Sequence, residues 1–330
     1  MFDTSATQVA IAGEALIDLI ARPDGAFEPC LGGAVYNLSR AIRRQGVGTT
    51  YLNPFAADRF GRTLARQMQA DGVRLARPQP VPETTSLAVV SLNEQGHPDY
   101  AFYREGVADR QVSAESLNAD CAALPALQCV CTGGLALDAR DASVYLPWLV
   151  AQRAAGRCVA VDANLRPSVM PDLPAYRAHV LQVLAQAHLV KVSDEDLAHL
   201  ELPGTNPLAQ AESLMGQLDA AWLALTLGEQ GAWLLARDGR RWSARESQAL
   251  AVVDTVGAGD SFFAGLLCSL LQQGPDWTQS AKVADAPAQQ ALRHALACAS
   301  LCVRQRGCVP PSWHEARAWA MAHPAVVGIG

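Results

Sequence analysis

Cys158-Val159-Ala160-Val161, followed at once by Asp162-Ala163-Asn164-Leu165-Arg166-Pro167, is a short apolar run without polar alternation that ends in a cluster of polar side chains. A strand of that composition is covered on both faces, as in a parallel sheet flanked by helices. Four more runs read the same way: Val9-Ala10-Ile11-Ala12, Cys129-Val130-Cys131, Leu189-Val190-Lys191-Val192 and Trp222-Leu223-Ala224-Leu225-Thr226. Alanine- and leucine-rich stretches between and around them predict helices over 35–45, 59–71, 142–155, 174–187, 261–273 and 287–304. The β-α repetition predicts a three-layer α/β domain with a mostly parallel central sheet. Ligands of such a sheet lie beyond the carboxyl ends of its strands.

Two segments break the pattern and read as hairpins. Residues 13–30 turn at Pro23-Asp24-Gly25, and residues 84–109 place Ser86 to Leu92 and Tyr100-Ala101-Phe102-Tyr103-Arg104 on either side of Asn93-Glu94-Gln95-Gly96. Their period-2 character is too exposed for a covered sheet, so a small separate β-sheet or lid, formed by about 14–37 and 84–110, is expected. Decorative surface hairpins are the alternative. With no repeat, low-complexity tract or long linker, 1–330 reads as a single domain carrying insertions.

A chain of 330 residues, half of them hydrophobic, can bury a large core. Its net charge of −6 and modest charged content provide no basic surface for nucleic acid or an acidic membrane, so the expected partners are small molecules. No apolar run approaches the ~20 residues of a membrane span, and Met1-Phe2-Asp3-Thr4-Ser5 lacks the basic region of a secretory signal, which favours the cytoplasm. The nine scattered cysteines lack the paired spacing of a zinc site and read as reduced, buried thiols.

Val252-Val253-Asp254-Thr255-Val256-Gly257-Ala258-Gly259-Asp260-Ser261-Phe262-Phe263-Ala264-Gly265 runs from a strand or turn through glycines into an apolar helix. Glycines allow close backbone approach, and the first amides of a helix have no internal partner and carry the positive end of its dipole. Gly257, Ala258 and Gly259 would form an anion hole for a transferring phosphoryl group. Asp260 beside it would take a proton from an attacking hydroxyl. The same spacing is compatible with Asp260 merely capping a helix that starts near Ser261.

The segment Asp254 to Asp260 resembles the carboxy-terminal signature of the PfkB or ribokinase family of carbohydrate kinases, Asp-Thr-x-Gly-Ala-Gly-Asp, at every fixed position. The family's amino-terminal signature is matched by Gly32-Gly33-Ala34-Val35-Tyr36-Asn37 and then by Asp58-Arg59-Phe60-Gly61. The resemblance extends from Gly13 to Pro310. It implies a Rossmann-like domain with a β-lid over the sugar, ATP across the strand ends, and transfer of the γ-phosphoryl group to a primary hydroxyl.

By motif position the resemblance assigns Asp18, Gly32, Gly33 and Asn37 to sugar binding, with Tyr103 and Arg104 from the lid. Without it, Asp18 is equally a turn residue and Asn37 a cap. Arg166 would neutralise charge on the γ-phosphate or hold an acidic substrate; a surface salt bridge is its plain alternative. Lys191, Thr226, Gly228 and Gly231, with Gly257 and Gly259, would meet ATP. The Thr226-Leu227-Gly228-Glu229-Gln230-Gly231 turn runs into Trp233-Leu234-Leu235, a strand, and so is no dinucleotide fingerprint, which argues against a dehydrogenase. Ser193 and Asp196 stand where the family has Asn and Glu; Asp196 would position Mg2+ through water, or else serve as an acidic first helical turn. Asp254 with backbone near Gly307 corresponds to a monovalent-cation site, implying K+. Leu296 falls near the adenine pocket.

Within the family, Phe102 to Asp109 and Asn164-Leu165-Arg166-Pro167 are most similar to bacterial fructokinases, so fructose is the expected substrate. 2-Keto-3-deoxygluconate is the alternative, with ribose, nucleosides and aminoimidazole riboside behind it. A catalytically silent relative that binds sugar or nucleotide is the rival of another class, marked by a broken base or anion hole. A lid with an apolar face also predicts a homodimer.

Overall fold

Alternate residues of each short apolar strand enter two different cores, as expected where side chains point to opposite faces and both faces are covered. Val9 and Ile11 pack into one core and Ala10 into the other; Cys129 and Cys131 divide from Val130, and Trp222 and Ala224 from Leu223 and Leu225, in the same way. The helices Ala34–Arg44, Ala258–Leu271 and Asp285–Cys302 cover the first face. Ala114–Ala122, Ala142–Ala154, Leu173–Leu184 and Pro207–Gln217 cover the second. These are the three layers expected from the sequence.

The computed structural model describes residues 6–22, 24–92 and 98–329. Met1-Phe2-Asp3-Thr4-Ser5, Pro23 and the turn Asn93-Glu94-Gln95-Gly96 lie outside the described residues. In chain order the strands are β1 (Val9–Ile11), β2 (Leu16–Ala21), β3 (Phe27–Gly32), β4 (Thr49–Tyr51), β5 (Arg74–Leu75), β6 (Ser86–Leu92), β7 (Pro98–Tyr103), β8 (Cys129–Gly133), β9 (Cys158–Asp162), β10 (Leu189–Ser193), β11 (Trp222–Thr226), β12 (Ala232–Ala236), β13 (Arg241–Arg245) and β14 (Val326–Ile329). Among the described residues the large sheet has the order β14-β13-β12-β11-β10-β9-β8-β1-β4-β5. Its run from β5 to β11 is parallel, and β12, β13 and β14 extend it antiparallel.

The two hairpins form a separate sheet of order β3-β2-β6-β7. Its register sorts the side chains. Asp18, Cys30, Ala88 and Phe102 share one face, while Ile17, Leu31, Leu87 and Tyr103 share the other. The segment 34–37, grouped with the lid from sequence, instead opens a main-body helix. No helix among the described residues is long and apolar enough to cross a membrane, and the nine cysteines are free thiols.

Candidate active site

The carboxyl ends of β9 and β10 bring Asp162 and Lys191 opposite one another in register. Lys191 Nζ donates to both carboxylate oxygens of Asp162, at 2.9 and 3.1 Å, inside the protein. Burial pushes the Asp162 carboxyl up to about 7, against the pull of Lys191. Burial alone would lower the Lys191 ammonium, but Asp162 and Asp196 hold it above its ordinary value, so this is a paired cation. A Cβ on Gly259 would lie 3.1 Å from Lys191 Nζ, which sets this charge beside the glycine-rich turn.

That turn enters the helix Ala258–Leu271 with Gly257 as its N-cap, in the left-handed region at φ 77°. A side chain there would be strained, and its Cβ would collide with Cys308 Sγ. The helix therefore starts three residues before the expected Ser261, and Asp260 sits inside its first turn rather than capping it. Ser261 N–H makes the first helical bond, to Gly257 O, which leaves the amides of Gly259 and Asp260 without a partner in the helix. Ala258 differs from expectation because its amide donates to Thr255 O at 3.2 Å.

Asp260 is 6% exposed, and its Oδ2 accepts from Asn37 Nδ2 at 3.0 Å. Burial pushes its carboxyl up to about 6, opposed by Lys191, the Asn37 bond and Arg166. Asn37 belongs to the helix Ala34–Arg44, one turn beyond Gly33, so the two signatures meet at one hydrogen bond across 223 residues of chain. Gly33 is needed twice over: its φ is 104°, and a Cβ would come within 2.9 Å of Glu14 O. A Cβ on Gly32 would sit 2.0 Å from Asp18 Oδ2, so that glycine makes room for the Asp18 carboxylate.

Two cavities flank this point and share Thr255 and Gly259. The first, about 350 Å3, lies between the small sheet and the main body, with Asp18, Asn37, Arg166, Lys191 and Asp260 in its wall. Burial pushes Asp18 up to about 6, against Arg166. Arg166 Nη1 donates to the carbonyls of Asn164 and Leu165, at 3.1 and 2.8 Å, which fixes its stem toward the cavity. The second, about 690 Å3 and more apolar, is lined by Thr226, Gly228, Gly231, Leu250, Phe262, Leu296 and Val303. Its size and mixed lining suit a nucleotide.

Other expected residues are placed differently. Tyr103 is 62% exposed on the face of the small sheet turned from the first cavity, because only alternate strand residues can face it. Arg104 is buried beneath the cavity floor, with Nη1 3.5 Å from Asp138, Nη2 3.9 Å from Asp141 and a long bond to Leu135 O. Neither residue lines the cavity. Asp196 forms a reciprocal capping box with Ser193, and its oxygens accept the amides of Leu165 and Ser193 at 2.7 and 2.8 Å. Each oxygen retains a lone pair for an ordered water; Glu195 is exposed. No cluster of three or more metal-ligating side chains occurs among the described residues. A magnesium ion here would therefore rest mainly on phosphates and water. Asp254 accepts from the amides of Val256 and Gly307, at 3.0 and 2.9 Å, closing the expected Asp254–Gly307 loop.

Four wall residues have no role assigned from sequence. The apolar side chains Ile20, Val90 and Phe102 come from the small sheet, and Glu14 follows the first strand. Glu14 stands at the carboxyl end of β1, where the rule for parallel sheets directs attention to any polar residue.

Residues 6–315 match the family described as pfkB family carbohydrate kinase. The chain is 33% identical over 269 residues to a fructokinase of Rhizobium leguminosarum bv. trifolii, covering 79% of each chain. It is 30% identical over 301 residues to a fructokinase of Vibrio alginolyticus, covering 91% of this chain and 94% of that one. The crystal structure of fructokinase with bound ATP from Xylella fastidiosa superposes with a TM-score of 0.80 at 26% identity, over 96% of this chain and 98% of that one. A match that spans nearly all of the sequence, joined to the meeting of Asn37 and Asp260, makes the chain a member of the pfkB family of carbohydrate kinases.

Proposed function

We propose that the protein phosphorylates fructose with ATP, using Asp260 as the base. The observation that carries this reading is the placement of a buried Asp260 carboxylate where the two cavities meet, beside the open amides of the helix end and paired to Asn37. The names of the relatives support fructose, and so does the charge of the first cavity. Its wall has the carboxyls of Glu14, Asp18 and Asp260 against Arg166 and a Lys191 already occupied by Asp162. Arg104, buried with Asp138 and Asp141 as its nearest carboxylates, does not line this wall, so a neutral ketose suits it better than a sugar acid.

Asp18 and Asn37 orient the sugar hydroxyls, and the Asp260 carboxylate accepts the proton of the attacking hydroxyl. The Gly257 and Gly259 turn, Lys191 and Arg166 stabilise charge on the transferred group. Thr226, Gly228 and Gly231 flank the nucleotide. Asp196, acting through water, would help hold Mg2+, which would add neutralisation of phosphate charge. K+ at the Asp254–Gly307 loop would steady the turn that carries the amides.

We read 1–330 as one kinase domain in which the small sheet is the lid, excluding water as it closes. The outer face of that sheet, with Leu19, Phe27, Leu31, Leu87 and Tyr103, is apolar and incompletely buried, which supports a homodimer through the lid. We place the enzyme in the cytoplasm.

The test is ATP-dependent ADP release across fructose, ribose, 2-keto-3-deoxygluconate, nucleosides and aminoimidazole riboside. Turnover of fructose above all others is expected. Good turnover of another with none of fructose would overturn the substrate assignment.

A further inference from the structure

The helix Ala34–Arg44 has no cap of its own, since Gly33 at its N-cap offers no side chain. Glu14, which follows β1 and is 3% exposed, supplies what is missing. Its Oε1 accepts the Ala34 amide at 3.1 Å, and its main-chain oxygen accepts the Tyr36 amide at 3.2 Å. The second carboxylate oxygen, Oε2, is buried without a hydrogen-bond partner. Gly134 holds a φ of 59° and gives Glu14 room: a Cβ there would lie 2.5 Å from Oε1.

A half-satisfied buried carboxyl disfavours the folded state, and burial pushes this one up to about 7 although Arg104 opposes the shift. A group placed at such cost toward stability alone is hard to explain. One turn further along the same helix, Asn37 donates to Asp260 at 3.0 Å. The line from Glu14 through the Ala34 amide to Asn37 and Asp260 is continuous. It also crosses the Gly32-Gly33 junction, where β3 of the lid joins the main body.

We propose that Glu14 is a positioning residue for Asp260, clamping from outside the helix that holds Asn37 against it. The inference rests on Asp260 being the base. Glu14 itself transfers no proton and need not touch the sugar.

The experiment compares kcat, KM for fructose and ATP, and Tm for Glu14→Ala, Glu14→Gln, Glu14→Asp, Asn37→Ala, Asp260→Asn and the Glu14→Ala/Asn37→Ala pair. Glu14→Ala is expected to lower kcat by about 10- to 100-fold, the size of effect a small misplacement of a reacting group produces, with little change in KM for ATP or in Tm. Glu14→Gln keeps an acceptor for the Ala34 amide and should restore kcat to within about threefold of the parent. Glu14→Asp keeps the charge but falls one methylene short, and should behave as alanine does. In the pair, the two losses should be strongly non-additive, because both act through one contact.

Parental kcat in Glu14→Ala or Glu14→Asp, equal damage in Glu14→Gln and Glu14→Ala, or additive losses in the pair would each overturn the inference. Asp260→Asn separates it from its premise. An active Asp260→Asn removes the base and this inference together, whereas an inactive Asp260→Asn beside a fully active Glu14→Ala removes only the role of Glu14.

Discussion

Replacing Asp260 by Asn should nearly abolish turnover while making the protein more stable at neutral pH. Asparagine fills the same space and can still accept from Asn37, but it cannot take a proton. The expected loss in kcat is about 10² to 10⁴, or roughly 3–5 kcal/mol of transition-state stabilisation. Stability moves the other way. Burial raises Asp260 from its ordinary 3.8 to about 6, so its contribution favours the folded state below about 3.8 and is lost as pH rises through 6. At about 1.4 kcal/mol per unit, ionised Asp260 costs the parent up to about 3 kcal/mol at pH 7.5. Asn lacks that cost, and a Tm gain of roughly 2–6 °C at pH 7.5 should shrink toward zero near pH 4. Because the base must be ionised, kcat/KM of the parent should fall below a pH near 6. Coupled ADP-release kinetics from pH 5 to 8.5, with thermal melts across the same range, check all three. A variant turning over within tenfold of the parent, or one whose Tm advantage over the parent is no larger at pH 7.5 than at pH 4, would refute the reasoning.

Arg166→Ala should lower kcat by about 10² to 10³, the usual consequence of removing one stabilising donor, and steady-state kinetics should show partial recovery in Arg166→Lys. Gly257→Ala would force a side chain into the left-handed region and against Cys308 Sγ; urea melts should show a loss of about 1–3 kcal/mol, accompanied by lower kcat. Phe27→Glu together with Leu87→Glu places charge on the apolar outer face of the small sheet; light scattering should find dimers for the parent and monomers for this variant.

The fold was legible where strands are covered on both faces, because an apolar run such as Cys129-Val130-Cys131 has few other places to go. Strands toward the two ends of the large sheet were less legible. Thr49–Tyr51 and Arg74–Leu75 are too short to show a period, and Arg241–Arg245 takes its place from pairing with a neighbour rather than from its own composition. The Asp260 helix starts three residues before its sequence suggests, because glycine gives no capping signal and only its left-handed backbone marks the cap. In the site, motif residues were readable because their spacing is local. Glu14 was not, since its importance lies in a contact with Ala34 twenty residues away. Arg104 shows the converse: arginine at a strand end suggests an anion at the site, yet it is buried off the cavity, and the carboxylates nearest it, Asp138 and Asp141, come from a distant turn.

The small sheet contributes Leu16, Asp18, Ile20, Val90 and Phe102 to the sugar cavity and nothing to the amides, Lys191 or Asp260. Apart from Asn37, which serves both, much of what meets the acceptor is thus written on a different piece of chain from the reactive groups. A lineage carrying this architecture can trial new acceptors by exchanging apolar side chains on a peripheral ribbon while its reactive machinery is inherited untouched.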